Sequence, residues 1–337
     1  CMVATEAAGL VLFGGEVTGG SGRDGRGVGD VWSLLPPEGG WAAASCPATG
    51  WERWECGATA NEDVPTARSN HAAVACGDYL LVFGGWSADG SHPLDHPELL
   101  HLETRCWTHC STVNDPPPPR GSPTLVYSRR RHLAVLFGGW NRQSRFNDAW
   151  CLDLESWRWE EAATCCAAEG LGSRDGRRPV GMGTDAAPSA RTDHTSVLWE
   201  RSASREAMIT FGGSAREGVS DELWVLDCSS GSPTEWQWMR WGAEAVVSGG
   251  PWPPPRSSHA AAIAGSGADA RLIIVGGQDG SLGPGAAAML CDAWVLSPLG
   301  SDTQRVWSRL GAWFGTYPLQ RCRHSLCVLG ELAIVYG

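Results

Sequence analysis

"LLVFGGWSADG", residues 80–90, drives four apolar residues straight into a double glycine and then a tryptophan. The same phrase recurs along the chain. "LVLFGG" ends at Gly15, "AVLFGG" at Gly139, "MITFGG" at Gly213, "LIIVGG" at Gly277, and "LAIVYG" at Gly337. A phrase repeated at intervals marks a repeat architecture, so the repeat is the first thing to define.

Alignment on the first glycine brings further landmarks into register. Upstream stand Arg68-Ser-Asn-His71, Arg191-Thr-Asp-His194, Arg256-Ser-Ser-His259 and Arg321-Cys-Arg-His324, with Arg120-Gly-Ser-Pro123 as the variant. Downstream come "DVW" at 30–32, "NDAWCLDLESW" at 147–157, "DELWVLD" at 221–227 and "DAWVLSP" at 292–298; "PELLHLETRCW" at 97–107 fills the slot with Leu100 in place of the Trp. A second tryptophan then opens the next strand, read as Trp41, Trp107, Trp157, Trp236 and Trp307. Chance in a glycine-rich chain does not account for this, because each later Gly-Gly sits 16 to 21 residues after its Arg.

Each unit reads as four strands, a to d. Strand a follows Arg-x-x-His, strand b ends in Gly-Gly, strand c carries the first Trp, and strand d begins near the second. The alternation in "WCLDL" and "LWVLD" has the period of two that puts Trp and Leu on one face of a strand. Gly-Gly stops strand b because glycine reaches backbone angles where a side chain would clash.

The chain has 337 residues, 42% of them hydrophobic and 19% charged, with 44 Gly and 21 Pro punctuating it as many short strands and turns require. The net charge of −11 argues against a nucleic-acid partner, and no apolar run is long enough to span a membrane. The 13 cysteines form no C-x-x-C pair, and several fall in apolar strands, so a reduced, cytoplasmic setting is expected. Cys165-Cys166, adjacent in a loop, are expected to be the reactive pair.

These units resemble kelch repeats, four-stranded blades of a β-propeller about 50 residues long; the spacing here is 54 to 74 residues. The expectation is an all-β, kelch-type propeller of five complete blades and a partial sixth: residues 1–66, 67–118, 119–189, 190–254, 255–319 and 320–337. If a ring is to close, strands c and d of the sixth blade come from beyond Gly337 or partly from before Cys1. Trp150, Trp224 and Trp294 are expected to fill the wedges between blades, and the repeated His to be a hydrogen-bonding core residue.

In such a blade the b–c and d–a loops emerge at one end. Arg68, Arg120, Arg191, Arg256 and Arg321 are then expected at the channel mouth, where the kelch resemblance implies arginines that recruit peptides. Trp86 and Trp140, directly after Gly-Gly, join them, and Trp with Arg has the composition of an interaction hot spot. The competing roles are structural: each Arg satisfies backbone carbonyls within its blade, and each Trp is buried against the next loop. Residues 165–189 form a long d–a loop, 15–29 a long b–c loop, and 114–120 a stiff polyproline-like entry.

The resulting reading is a non-enzymatic module that binds a protein or peptide partner, acidic in character, as a scaffold or ubiquitin-ligase substrate adaptor, with companion domains outside these residues. No catalytic residue, cofactor or metal ligand is assigned. The alternative is an enzyme, small-ligand or metal site in the central channel. His92, His96, Cys106, His109 and Cys110 suggest a metal cluster, but strand c is expected to separate the first two from the rest by about 15–20 Å at ~3.3 Å per residue. Glu217 and Asp221 fit the Glu-x3-Asp-x3-His ligand pattern of iron-dependent plant specifier proteins, but Val225 holds the third position. The four tyrosines do not cluster as a propeller copper-radical oxidase would need. "SRRRH" at 128–132 reads as a solvated turn at the opposite end of its blade.

Overall fold

A computed structural model describes residues 1–5, 8–18, 25–35, 50–58, 64–162, 187–242, 250–280, 288–301, 305–311, 321–330 and 332–337. Among these residues the regular structure is β-strand, with two short 3-10 turns at Pro233–Glu235 and Gly267–Asp269. The expected loop at 165–189 falls almost wholly outside the described residues, as do Cys165, Cys166 and Trp41.

Each repeat forms an antiparallel meander of four strands. The first blade is built from Met2–Thr5, Gly9–Thr18, Gly25–Leu34 and Trp51–Trp54. The second uses Ala72–Cys76, Tyr79–Phe83, Pro97–His101 and Cys106–His109, with Gly57–Ala58 adding a short parallel strand to its outer edge. Thr124–Ser128, Leu133–Phe137, Ala149–Asp153 and Arg158–Glu161 make the third. The fourth comprises Thr195–Ser202, Arg205–Phe211, Leu223–Asp227 and Gln237–Arg240, and the fifth Ala260–Ala264, Arg271–Val275, Ala293–Ser297 and Val306–Arg309. Ser325–Leu329 and Leu332–Tyr336 pair as a hairpin.

The chain divides into two compact units. One is Cys1–Leu136, Cys151–Trp159 and Glu331–Ala333; the other is Phe137–Trp150, Glu160–Gly330 and Ile334–Gly337. In the first, strand b of blade 2 is covered on both faces. Leu80 and Val82 join Val11, Phe13 and Val31 of blade 1 in one core, while Phe83 packs on Trp159 of blade 3 with ring centroids 5.2 Å apart. Burial on both faces explains why Leu80, Leu81, Val82 and Phe83 run apolar without alternating. In the second unit, Ile209, Phe211 and Val225 of blade 4 pack with Leu272, Ile274 and Leu296 of blade 5.

One contact recurs between successive blades. The Phe that closes strand b is clamped by the His and the strand-d Trp of the following blade: Phe13 by His71 and Trp107, Phe137 by His194 and Trp238, Phe211 by His259 and Trp307, with centroids 4.8–5.7 Å apart. The tilted and edge-on geometries suit the aromatic quadrupole. The strand-d tryptophan is thus part of each of these inter-blade contacts, and of the strand-c tryptophans Trp294 lies in the core that blades 4 and 5 share. Where two tryptophans stand two residues apart, the structure uses the second, Trp159 and Trp238, rather than the expected Trp157 and Trp236. Trp157 sits in the c–d turn with φ 54°, and Trp236 closes the 3-10 turn before strand d. In blade 1 the buried strand-d tryptophan is Trp54.

Gly-Gly ends strand b in blades 2 to 5, at Phe83, Phe137, Phe211 and Val275, and blade 1 departs from this. In blade 1 strand b runs on through Gly14-Gly15, with a register shift between Phe13 and Gly15. In blade 2 Trp86–Ser87 resumes pairing, now with Arg68–Ser69.

Candidate functional site: the loop end of the blades and its internal arginines

The local cause of the Gly-Gly signature lies at the blade junction. Gly212 has φ 65° and Gly213 φ 98°, and a Cβ on Gly212 would stand 2.5 Å from the Arg256 carbonyl oxygen of the next blade. A Cβ on Gly213 would stand 2.7 Å from the Cβ of His194 in its own blade. The second glycine also donates its N–H to that Arg carbonyl: Gly85 to Arg120, Gly139 to Arg191, Gly213 to Arg256 and Gly277 to Arg321, at 2.9–3.0 Å. Two glycines are needed because one side is closed by the next blade and the other by the blade's own histidine.

The arginine whose carbonyl accepts that bond turns its side chain inward. In Arg256, Nε donates to the Pro254 carbonyl at 3.3 Å and Nη1 to the Gly276 carbonyl at 2.9 Å. Nη1 and Nη2 also grip Asp292 at 2.8 and 3.0 Å. Asp292 in turn accepts the Trp294 indole N–H at 2.7 Å. Arg191 repeats the pattern with Ser189, Gly212 and Glu222, and Trp224 donates to the same carboxylate. Arg68 donates to Thr66 and Gly84 and lies 3.6 Å from Glu98. Trp32 and Trp150 likewise donate to Asp30 and Asp148.

Electrostatics follow from this burial. Burial lowers the Arg68 pKa to about 10, against the pull of Glu98, and lowers that of Arg191 against Glu222. Burial alone would raise the carboxyls of Asp292 and Glu222. The donors from Arg256 with Trp294, and from Arg191 with Trp224, outweigh it, so both lie below their ordinary values. Blades 4 and 5 thus each enclose an ion pair whose carboxylate also accepts a hydrogen bond from an indole.

The expectation that the repeated arginines meet a partner directly therefore needs correcting for four of them. Arg68, Arg120, Arg191 and Arg256 are 0% exposed, and a guanidinium without surface cannot touch a ligand. Arg321 is half-buried and donates to the Gly337 carbonyl at 3.3 Å. Trp86 is also buried: it packs on Gly121, where a Cβ would collide with its indole. Trp140 is half-buried and opens a loop whose Arg142, Gln143 and Arg145 are exposed. Trp224 and Trp294 are buried in the core, but their indole N–H groups serve the arginine carboxylates. The histidines are buried as expected, and the expected hydrogen bonding is seen at His259, whose Nε2 lies 2.8 Å from Thr195 Oγ1. Burial lowers the pKa of His194 to about 3 and of His324 to about 4, and places His71 and His259 well below 6.5.

The separation assumed for the His and Cys residues of blade 2 is also corrected. Strand d returns antiparallel to strand c, and Glu98 pairs with His109. His96 and His109 consequently stand side by side, with ring centroids 4.8 Å apart. His92 and the pair Cys106 and Cys110 take no part. The signal for the carboxylate partners is in the sequence: an acid stands two residues before each strand-c tryptophan in "DVW", "NDAW", "DELW" and "CDAW".

A family model described as the KLHDC2/KLHL20/DRC7 Kelch-repeats domain matches residues 1–174 and 177–337, and the chain belongs to this kelch-repeat family. Its fold is accordingly an all-β, kelch-type β-propeller with four-stranded blades. Among curated relatives it is 28% identical over 318 residues to "Putative adagio-like protein 2" of Oryza sativa subsp. japonica, covering 81% of this chain and 47% of that protein. It is 28% identical over 236 residues to "Dynein alpha chain, flagellar outer arm" of Chlamydomonas reinhardtii, covering 67% of this chain and 4% of that one. Over 302 residues it is 22% identical to "Host cell factor homolog hcf-1" of Caenorhabditis elegans, covering 85% and 33%. The chain spans less than half the length of these relatives.

Proposed function

We propose that this kelch domain is a non-enzymatic protein-interaction module that binds a protein or peptide partner through the b–c and d–a loop end of its blades. The observation carrying the reading is the inward lock. The buried arginines fix the Gly-Gly exits and the chain entering strand a, so exposed loop residues project from a rigid base, the usual setting for binding residues. Trp140 with Arg142 and Arg145 in blade 3, and Arg216 with Glu217 in blade 4, are the surface-bearing members. Partner contact assigned to the arginine set moves to these neighbours, with Arg321 retained. A cationic loop beside an indole suits an acidic segment.

Family membership supports protein binding in general. A scaffold or ubiquitin-ligase adaptor role in the cytoplasm is the finer form of this proposal. None of the ten described cysteines forms a disulfide. Among the described residues no helix is long and apolar enough to cross a membrane.

The test is affinity purification and crosslinking of the protein carrying Arg142→Glu with Arg145→Glu, beside Arg129→Glu with Arg130→Glu at the opposite blade end. Selective loss of bound proteins with the first pair supports the proposal. Equal loss or equal retention with both contradicts it.

A further inference from the structure

We propose that His96, Glu98 and His109 form a binding site for a single divalent transition-metal ion, with zinc the best match. The site arises where blade 2 departs from its neighbours. In blades 3, 4 and 5 the carboxylate two positions before the strand-c tryptophan accepts that indole's N–H. Blade 2 has Leu100 in the tryptophan slot, which donates nothing. Two imidazoles face the carboxylate instead: His96 Nε2 is 3.4 Å from Glu98 Oε1, and His109 Nδ1 is 3.5 Å from Glu98 Oε2.

The geometry suits an ion. The three donor atoms lie within 4.8 Å of one another. Ligands held tetrahedrally at 2.0–2.2 Å stand about 3.3–3.6 Å apart; each histidine already stands at that separation from one Glu98 oxygen, His96 from Oε1 and His109 from Oε2, so a small rotation of the carboxylate brings a single oxygen to both. Two imidazoles and one carboxylate form an N/O set that favours zinc and its neighbours over magnesium or calcium. Three protein ligands leave a fourth position open to water, and the partly exposed His96 and His109 side chains give it access to solvent.

The surroundings hold the ligands in place. Glu98 and His109 are opposite partners in the strand c–d ladder, and His96 immediately precedes strand c. Asp95 Oδ1 lies 3.1 Å from His96 Nδ1, leaving Nε2 for the metal, the carboxylate–histidine arrangement that fixes tautomer and ring orientation in metal sites. The opposing influence is Arg68, whose guanidinium lies 3.6 Å from Glu98 Oε1 and repels a second cation.

Cobalt(II) titration of the 337-residue protein, read by visible d–d absorption, tests the site. The expected result is one equivalent bound with the intense bands of four- or five-coordination, displaced by zinc, and a thermal midpoint raised by zinc. His96→Ala and His109→Ala should each weaken binding at least tenfold and abolish the thermal shift, and Asp95→Asn should weaken it about tenfold. His92→Ala, in the same loop, should bind as the parent does. The proposal is overturned by absent d–d bands, by thiolate-to-cobalt charge transfer marking a cysteine site, or by equal loss in the His92 and His109 variants.

Discussion

Gly213 donates its backbone N–H to the carbonyl oxygen of Arg256 at 2.9 Å, and Arg256 donates from Nη1 to the carbonyl of Gly276 at the same distance. One residue thus ties the strand-b exit of the preceding blade to that of its own. The relationship repeats at Arg191, which holds Gly139 through its carbonyl and Gly212 through its guanidinium. The repeat signature is therefore a set of junctions, and substitutions there should reveal it.

Gly212→Val should cost several kcal/mol in urea unfolding. A β-branched residue at φ 65° is strained, and its Cβ would press on the Arg256 carbonyl. Gly77→Ala is the control: φ is 63° but nothing lies within 4 Å of the added Cβ, so only the conformational cost of about 1–2 kcal/mol is expected. Equal losses at the two sites would refute the junction account.

Trp307→Ala should cost about 3–5 kcal/mol, because the indole is buried and clamps Phe211. Trp140→Ala, at a half-buried loop position, should cost much less. Thermal or urea unfolding of the two variants checks the ranking.

Acid should weaken the protein through His194 before it reaches the ion pairs. The folded pKa of about 3 lies below the unfolded 6.5, so the unfolded state binds more protons between those values. Stability is full above pH 6.5 and falls as pH drops through that window, by up to about 1.4 kcal/mol per pH unit. His194→Gln should remove one proton from the slope of unfolding free energy against pH; an unchanged slope would contradict the buried neutral imidazole.

Asp292 acts in a lower window. Its folded pKa is depressed below 3.8, so its contribution is present above the unfolded value and lost as pH falls through the folded one. The stability gap between parent and Asp292→Asn should be constant near neutrality and shrink below about pH 4. A gap that stays constant into acid would show that the carboxylate's charge contributes nothing.

The fold was largely legible because its determinants are local and periodic. "FGG", Arg-x-x-His and the acid-x-Trp phrases recur in register, and strands a to c follow these landmarks in the blades that carry them. The roles of side chains were less legible, because they depend on partners far along the chain. Arg256 finds Asp292 36 residues later, and nothing in "PPPRSSH" announces it. "WRW" and "WQW" each offer two tryptophans of the same strand parity, so only packing distinguishes Trp159 from Trp157. Chain distance along strand c separates His96 from His109, and only the antiparallel return of strand d, which pairs Glu98 with His109, brings them together.

The central claim, that the repeated arginines are internal locks, is tested most directly by a double-mutant cycle on Arg256 and Asp292. Unfolding free energies would be measured for Arg256→Ala, Asp292→Ala and the pair. Each single variant leaves a buried charge without its partner and should cost about 3–5 kcal/mol. The double variant should cost much less than the sum, giving a coupling of at least 1 kcal/mol. Single losses below 1 kcal/mol that add without coupling would contradict the lock and return the arginine to the surface.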